Sequence, residues 1–322
     1  MNSPSTASLL VHRQVIPQQF SPEIFLDVAQ GAVAEMLAEV RKRVFLASHK
    51  IEIKPTDGSL VGACDRESAR KAHDFFSARL SDVSYRIEDL AATVGVEKII
   101  RHLILCDPLD GTRAWTNGIL TSTVISAAYD VVERGVCACI VAEIAENGRI
   151  WKSKDGHAEV SLQSTGITEP CKVWNGTLDK QSTVLIDVAH GFNRQPNSRT
   201  ILTDSDAGQL VLALAQASKL MILGSNGLNQ ALVASSGNFG RERIAGGITT
   251  AIGGAWDVAG VHLVLNSGGT ARAFACDGEL VLKERNPLDV LNFDIVVYGN
   301  STTTVNTLVN FVTQATGRTI IA

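Results

Sequence analysis

The sequence predicts an α/β protein built in layers, with at least one mixed sheet. Two observations carry that expectation. Strand-like and helix-like segments alternate in long blocks along the chain. Within the first half, "TSTVISAAYDVV", "RGVCACIVAEIA" and "GRIWKSK" follow one another, separated by "ERG" and "ENG", turn chemistry suited to an antiparallel meander.

Residues 1–20 read as a loose arm. "SPEIFLDVAQGAVAEMLAEVRKRVFLA" is an amphipathic helix, with Ser21 as cap and Pro22 at the first helical position. The polar loop "KPTDGSLVGACD" leads into a second helix from about Asp65 to Leu80. A short strand ends near Glu88, and "KIIRHLILC" is the next strand, expected to stop at Asp107 because strand interiors exclude Asp and Pro. After the meander a second half begins near Ser182, so the chain divides into 1–181 and 182–322, two halves of one compact unit. In it, "TVLIDVA", "LMILG" and "DIVVYGN" are strands. "DAGQLVLALAQASK", "NGLNQALVASSG" and "AWDVAGVHLVLNSGG" are helices, and a final helix begins near Ser301.

Composition narrows the function. At 322 residues, 45% apolar and 19% charged, the chain is long enough for a sizeable core. A net charge of −4 without a Lys/Arg run argues against nucleic acid or an anionic membrane as partner. It leaves room for a small anionic substrate, because a bound metal reverses the local field. The six cysteines form no Cys-x-x-Cys pair and read as reduced, packed thiols. "MNSPSTASLLVHRQVIPQQF" lacks a secretion signal's apolar core, and no segment reaches the ~18 apolar residues of a membrane span, which places the expected compartment in the cytoplasm.

The segment "CDPLDGT" (106–112) holds two carboxylates three residues apart at a strand end, where Pro108 stiffens the chain and Gly111 permits an unusual backbone angle. Such a pair repels itself unless a proton or cation lies between. An EF-hand loop from Asp107 fails, since its third, fifth and twelfth positions are Leu109, Gly111 and Gly118. An aspartyl nucleophile in Asp-x-Asp-x-Thr fails because Pro108 stands two residues before Asp110. A structural turn alone remains an option for the isolated segment. Further acids at element ends weigh toward a site: Glu88 and Asp89 upstream, Asp65 in "GACDRES" and Asp257 in "GGAWDVAG". Oxygen donors without His or Cys suit Mg²⁺ or Mn²⁺, not zinc. The seven His residues are scattered and read as structural.

The ordered set "GACDRES", "RIEDL", "CDPLDGT", "GGAWDVAG" and "NSGG", over about residues 50–300, resembles the inositol monophosphatase family, which also holds bisphosphate nucleotidases and sugar-phosphate phosphatases. The resemblance implies an αβαβα five-layer sandwich with mixed sheets, Mg²⁺-dependent hydrolysis of a phosphate ester and frequently a homodimer. It puts one Mg²⁺ on Glu88, Asp107 and the Leu109 carbonyl, and a second on Asp107, Asp110 and Asp257, with a third weaker ion near Glu88. Thr112, its hydroxyl proton accepted by Asp65, would orient the attacking water. Thr112 also suits a helix cap, and the N–H groups of Gly111 and Thr112 suit a phosphate oxygen. Most of the metal ligands then lie in 1–181, and the Trp-Asp helix and a substrate loop lie in 182–322.

Two departures bear on substrate. The family's Gly-Glu-Glu is Ile87-Glu88-Asp89 here, which leaves no assigned role for Asp89. The stretch between Gly237 and Trp256 is longer than in inositol monophosphatases, and Thr250 falls where those enzymes use a Glu. Glu242 would supply a carboxylate, and Arg241 or Arg243 would bind a second anionic group. Gly224, Ser225 and Asn226 complete the expected substrate contacts. The expected substrate is an inositol, polyol or sugar monophosphate. A 3′(2′),5′-bisphosphate, fructose 1,6-bisphosphate, and a catalytically silent binding protein are the alternatives.

Overall fold

The computed structural model describes residues 17–42, 51–53, 60–90, 100–187, 202–238, 243–250, 252, 254–277 and 280–321. Most of the expected N-terminal arm, together with Arg241, Glu242 and Gly253, lies outside them.

The chain opens with β1 (Gln18–Gln19) and α1 (Pro22–Arg41). Ser21 caps α1, its hydroxyl accepting the Ile24 N–H at 3.2 Å, and Pro22 occupies the first turn as expected. Then come β2 (Ile51–Ile53) and β3 (Leu60–Gly62), an antiparallel pair of which β3 falls inside the expected polar loop, and α2 (Ala63–Ser77). β4 (Leu80–Ser81) pairs with β1, and β5 (Val83–Ile87) leads to β6 (His102–Asp110). The one-turn helix α3 (Thr112–Thr116) precedes the meander of β7 (Thr123–Asp130), β8 (Gly135–Glu143), β9 (Arg149–Lys154), β10 (His157–Leu162) and β11 (Thr168–Pro170).

The second part runs β12 (Thr183–Asp187), α4 (Asp204–Ala217), β13 (Lys219–Met221), α5 (Asn226–Ala234) and β14 (Ile244–Thr249). A 3₁₀ turn at Ala255–Val258 and α6 (Val261–Asn266) follow. The chain closes with β15 (Thr270–Cys276), β16 (Val281–Arg285), β17 (Ile295–Gly299), α7 (Thr302–Thr316) and β18 (Thr319–Ile321).

Two seven-stranded sheets result, ordered β11-β10-β9-β8-β7-β6-β5 and β13-β12-β14-β17-β15-β16-β18. Both are mixed: β5 is parallel to β6 in an otherwise antiparallel sheet, and β12 runs parallel to both β13 and β14 while β14 is antiparallel to β17. Side chains alternate between faces with period two. Ile104 and Cys106 therefore join α1 and α2 in one buried cluster, while Leu105 and Ile125 face α5 and α6 in another. The second sheet repeats the arrangement, with Ala273, Val296 and Tyr298 toward α5 and α6, and Phe274, Ile295 and Val297 toward α4 and α7. The layers run α1/α2, sheet, α5/α6, sheet, α4/α7, which is the αβαβα sandwich. All six cysteines are free thiols. Among the described residues no helix is long and apolar enough to cross a membrane.

Three expectations change. First, β6 does not stop at Asp107 but reaches Asp110, opposite Thr123, across a register shift between the two acids. Its pairing with β5 ends at Cys106, so Pro108 lacks an N–H on a side where no ladder needs one, and the irregularity absorbs it on the other. Second, the Trp-Asp helix is broken into the 3₁₀ turn and α6, with the Asp257 carboxylate accepting the Gly254 N–H at 3.0 Å. Third, the stretch from 238 to 254, expected as a substrate loop, contains β14, buried along its whole length. Gly246 and Gly247 lie within this strand. In the fold they admit Tyr298, whose carbonyl and ring would lie 2.5 and 2.7 Å from a Cβ at those positions.

Candidate metal centre

Asp107, Asp110 and Asp257 are buried together, with one carboxylate oxygen of each within 4.8 Å of the others. Two elements deliver them: the end of β6 supplies two, and the 3₁₀ turn supplies the third. The Leu109 N–H donates to Asp107 Oδ1 at 2.9 Å and fixes the turn around Pro108. Burial lifts the Asp107 carboxyl well above its usual range, and the charges of Glu88, Asp110 and Asp257 lift it further.

Asp110 faces the first turn of α5. Ser225 Oγ (2.6 Å), Thr123 Oγ1 (3.0 Å) and the backbone N–H groups of Gly227 (2.7 Å) and Asn226 (3.2 Å) all donate to it. Burial pushes its carboxyl up to about 6, while the Ser225, Gly227, Thr123 and Asn226 donors pull it down. These four donors suit the charged form, against the neighbouring Asp107 and Asp257 carboxylates. Gln230 Nε2 donates to the Asp257 carbonyl at 2.7 Å, tying α5 to the turn that carries the third acid.

Glu88 follows β5, its N–H bonded to the Cys106 carbonyl at 2.9 Å, and stands beside Asp107. Asp89 next to it takes the left-handed region, φ 62°, and turns the chain. Thr112 Oγ1 lies 3.2 Å from Asp65 Oδ1 and 3.1 Å from the Leu109 carbonyl, so one proton serves two acceptors. Asp65 is buried in the first turn of α2. The helix cap considered for Thr112 is instead Gly111, with φ 90°. A Cβ at Gly111 would meet the Gly224 carbonyl at 2.8 Å, so only glycine fits this approach of β6 to the segment before α5.

The remaining expected residues have these places. Gly224, φ 76°, and Ser225 border Asp110, and the Ser225 hydroxyl is committed to that carboxylate. Asn226 Oδ1 accepts from Thr249 Oγ1 at 3.2 Å. Thr250 is buried, its hydroxyl donating to the Asp187 carbonyl at 3.3 Å. Arg243 is exposed, and its carbonyl accepts the Thr183 N–H at 2.8 Å. Sequence reasoning missed Thr123 and Gln230. Thr123 looks like one polar residue at a strand start, and nothing local ties it to an acid thirteen residues earlier.

Solved structures share this architecture. The chain is similar to the extragenic suppressor protein SuhB of Bartonella henselae at 16% identity and a TM-score of 0.69, over 89% of this chain and 97% of that one. It is similar to the inositol monophosphatase of Anabaena (Nostoc) sp. at 18% identity and a TM-score of 0.65, over 91% and 96%. A third is an inositol monophosphatase/NADP phosphatase in complex with NADP and Ca²⁺, at 14% identity and a TM-score of 0.65, over 91% and 97%. No protein-family model matches the sequence, and no curated protein matches it. The chain has the inositol monophosphatase fold.

Proposed function

We propose that the chain is a phosphatase that hydrolyses a small inositol, polyol or sugar monophosphate with the help of Mg²⁺, or Mn²⁺ in its place. One observation carries the reading: Asp107, Asp110 and Asp257 converge in a buried pocket of oxygen donors, beside the Thr112–Asp65 pair. Burial first and the charges of Glu88, Asp110 and Asp257 next lift Asp107, so a hard divalent cation fits the donor set.

Asp107, Asp110 and Asp257 would hold one ion, and Glu88, Asp107 and the Leu109 carbonyl a second. Bound there, a divalent ion supplies Lewis-acid polarisation of a phosphoryl oxygen and a more acidic water. The chain's own residues do the rest. Asp65 accepts the Thr112 hydroxyl proton and turns the Thr112 lone pairs toward an attacking water. The N–H groups of Gly111 and Thr112 border the cluster as phosphate donors. The homodimer implied by the family resemblance belongs to the same proposal.

Inorganic phosphate release, with and without Mg²⁺, tests it. The panel holds inositol phosphates, pentose and hexose phosphates, fructose 1,6-bisphosphate, adenosine 3′,5′-bisphosphate and NADP, with Asp110→Asn as control. Mg²⁺-dependent release that is lost in the variant is expected. Near-wild-type release by Asp110→Asn would sink the metal assignment. Binding without release would favour the silent relative.

A further inference from the structure

The two oxygens of Asp110 are not equivalent. Oδ2 receives three donors, Ser225 Oγ at 2.6 Å, the Gly227 N–H at 2.7 Å and Thr123 Oγ1 at 3.0 Å. Among the described residues, Oδ1 receives only the Asn226 N–H, at 3.2 Å. A carboxylate oxygen offers about two lone-pair directions; the two shortest contacts, from Ser225 and Gly227, fill them and Thr123 lies against the same oxygen, so Oδ2 has no capacity left for another partner and Oδ1 has.

The two hydroxyls that crowd Oδ2 also touch each other, 3.1 Å apart. Each owns one proton. Ser225 also accepts the Leu228 N–H at 3.2 Å as the cap of α5, and its short contact spends its proton on Asp110. The Thr123 proton then serves either Asp110 or the Ser225 oxygen. In both cases it fixes the pair in one orientation. Thr123 opens β7 directly opposite Asp110 in the strand register, and Thr123 and Ser225 are fully buried. The sheet, not a flexible side chain, holds that hydroxyl in place.

We propose that Thr123 is a positioning residue: set against both Ser225 Oγ and Asp110 Oδ2, it holds in place the donors that saturate Oδ2, so that the carboxylate presents Oδ1 alone to a divalent cation. This rests on reading the acidic cluster as a cation site, and the two fail differently. Removing a hydrogen bond that orients a metal-binding carboxylate weakens metal affinity by about 10–100-fold in general.

The test is a Mn²⁺ titration followed by electron paramagnetic resonance, on wild type, Thr123→Val and Thr123→Ser, with circular dichroism as the check on folding. Thr123→Val, nearly isosteric, is expected to weaken Mn²⁺ binding about tenfold, and Thr123→Ser to restore it to within about twofold. The Mg²⁺ concentration for half-maximal phosphate release should rise in Thr123→Val while KM for the ester holds. Thr123→Val binding Mn²⁺ as tightly as wild type overturns the inference and leaves the cation site standing. Absence of Mn²⁺ binding in wild type overturns both. Should Thr123→Val not fold, Thr123→Ala carries the same outcomes.

Discussion

Thr112 Oγ1 lies 3.2 Å from Asp65 Oδ1, although 47 residues separate them in the chain. The contact joins the first turn of α2 to the start of α3, and it places a hydroxyl beside the buried acids with a carboxylate behind it. A hydroxyl that donates its proton to a carboxylate keeps its lone pairs for another partner.

If that pair orients a nucleophilic water, its loss falls on turnover and not on binding. Thr112→Ala is expected to lower kcat by about 10²-fold with little change in KM, and Asp65→Asn to do likewise. The double variant should be no worse than the poorer single, because the two act as a unit. Equal damage to kcat and KM in steady-state assays would make Thr112 mainly structural.

Asp107 should oppose stability where it serves function. Burial and three neighbouring carboxylates raise its proton affinity, so the charged form is costly without a cation. Asp107→Asn keeps the acceptor for the Leu109 N–H and removes one charge. In EDTA it is expected to melt about 2 °C higher than wild type, the shift for roughly 1 kcal/mol in a large domain, while Mg²⁺-dependent phosphate release disappears. Calorimetry decides, and a lower melting temperature would mean that the carboxylate is not repelled.

His262 predicts a pH dependence away from the site. Its ring nitrogen lies 2.7 Å from Ser153 Oγ, and burial holds the imidazole down to about 4, against 6.5 for the free group. Between those values the unfolded chain binds a proton that the folded chain refuses. The stability contribution is therefore complete above pH 6.5 and is lost as pH falls toward 4. From pH 7.5 to pH 5 the loss is about 2 kcal/mol, and His262→Gln should lose that much less over the same interval in urea titrations. Parallel losses would mean that the imidazole is not held neutral.

The alternation of segments was enough to read α/β layers, and local signals placed helix starts too: Ser21 caps α1 as expected, and the final helix begins near Ser301, which caps it. Such signals are local, set by hydroxyl geometry and side-chain period. Where partners are distant, local signals misled. The stretch from 238 to 254, expected as a substrate loop, contains the strand β14, in which Gly246 and Gly247 admit Tyr298. Asp107-Pro108 looks like a strand end, yet β6 runs on to Asp110 because no ladder needs the missing proline N–H.

By itself the sequence determined which residues carry charge, which segments bury an apolar face, and that Asp107, Asp110 and Asp257 stand at element ends. Only the tertiary structure decided that their oxygens meet within 4.8 Å, and that Thr123 and Ser225 close over one oxygen of Asp110. The reason is physical. Period and propensity act over a few residues, whereas a buried carboxylate takes its partners from whichever strand and helix the packing brings against it.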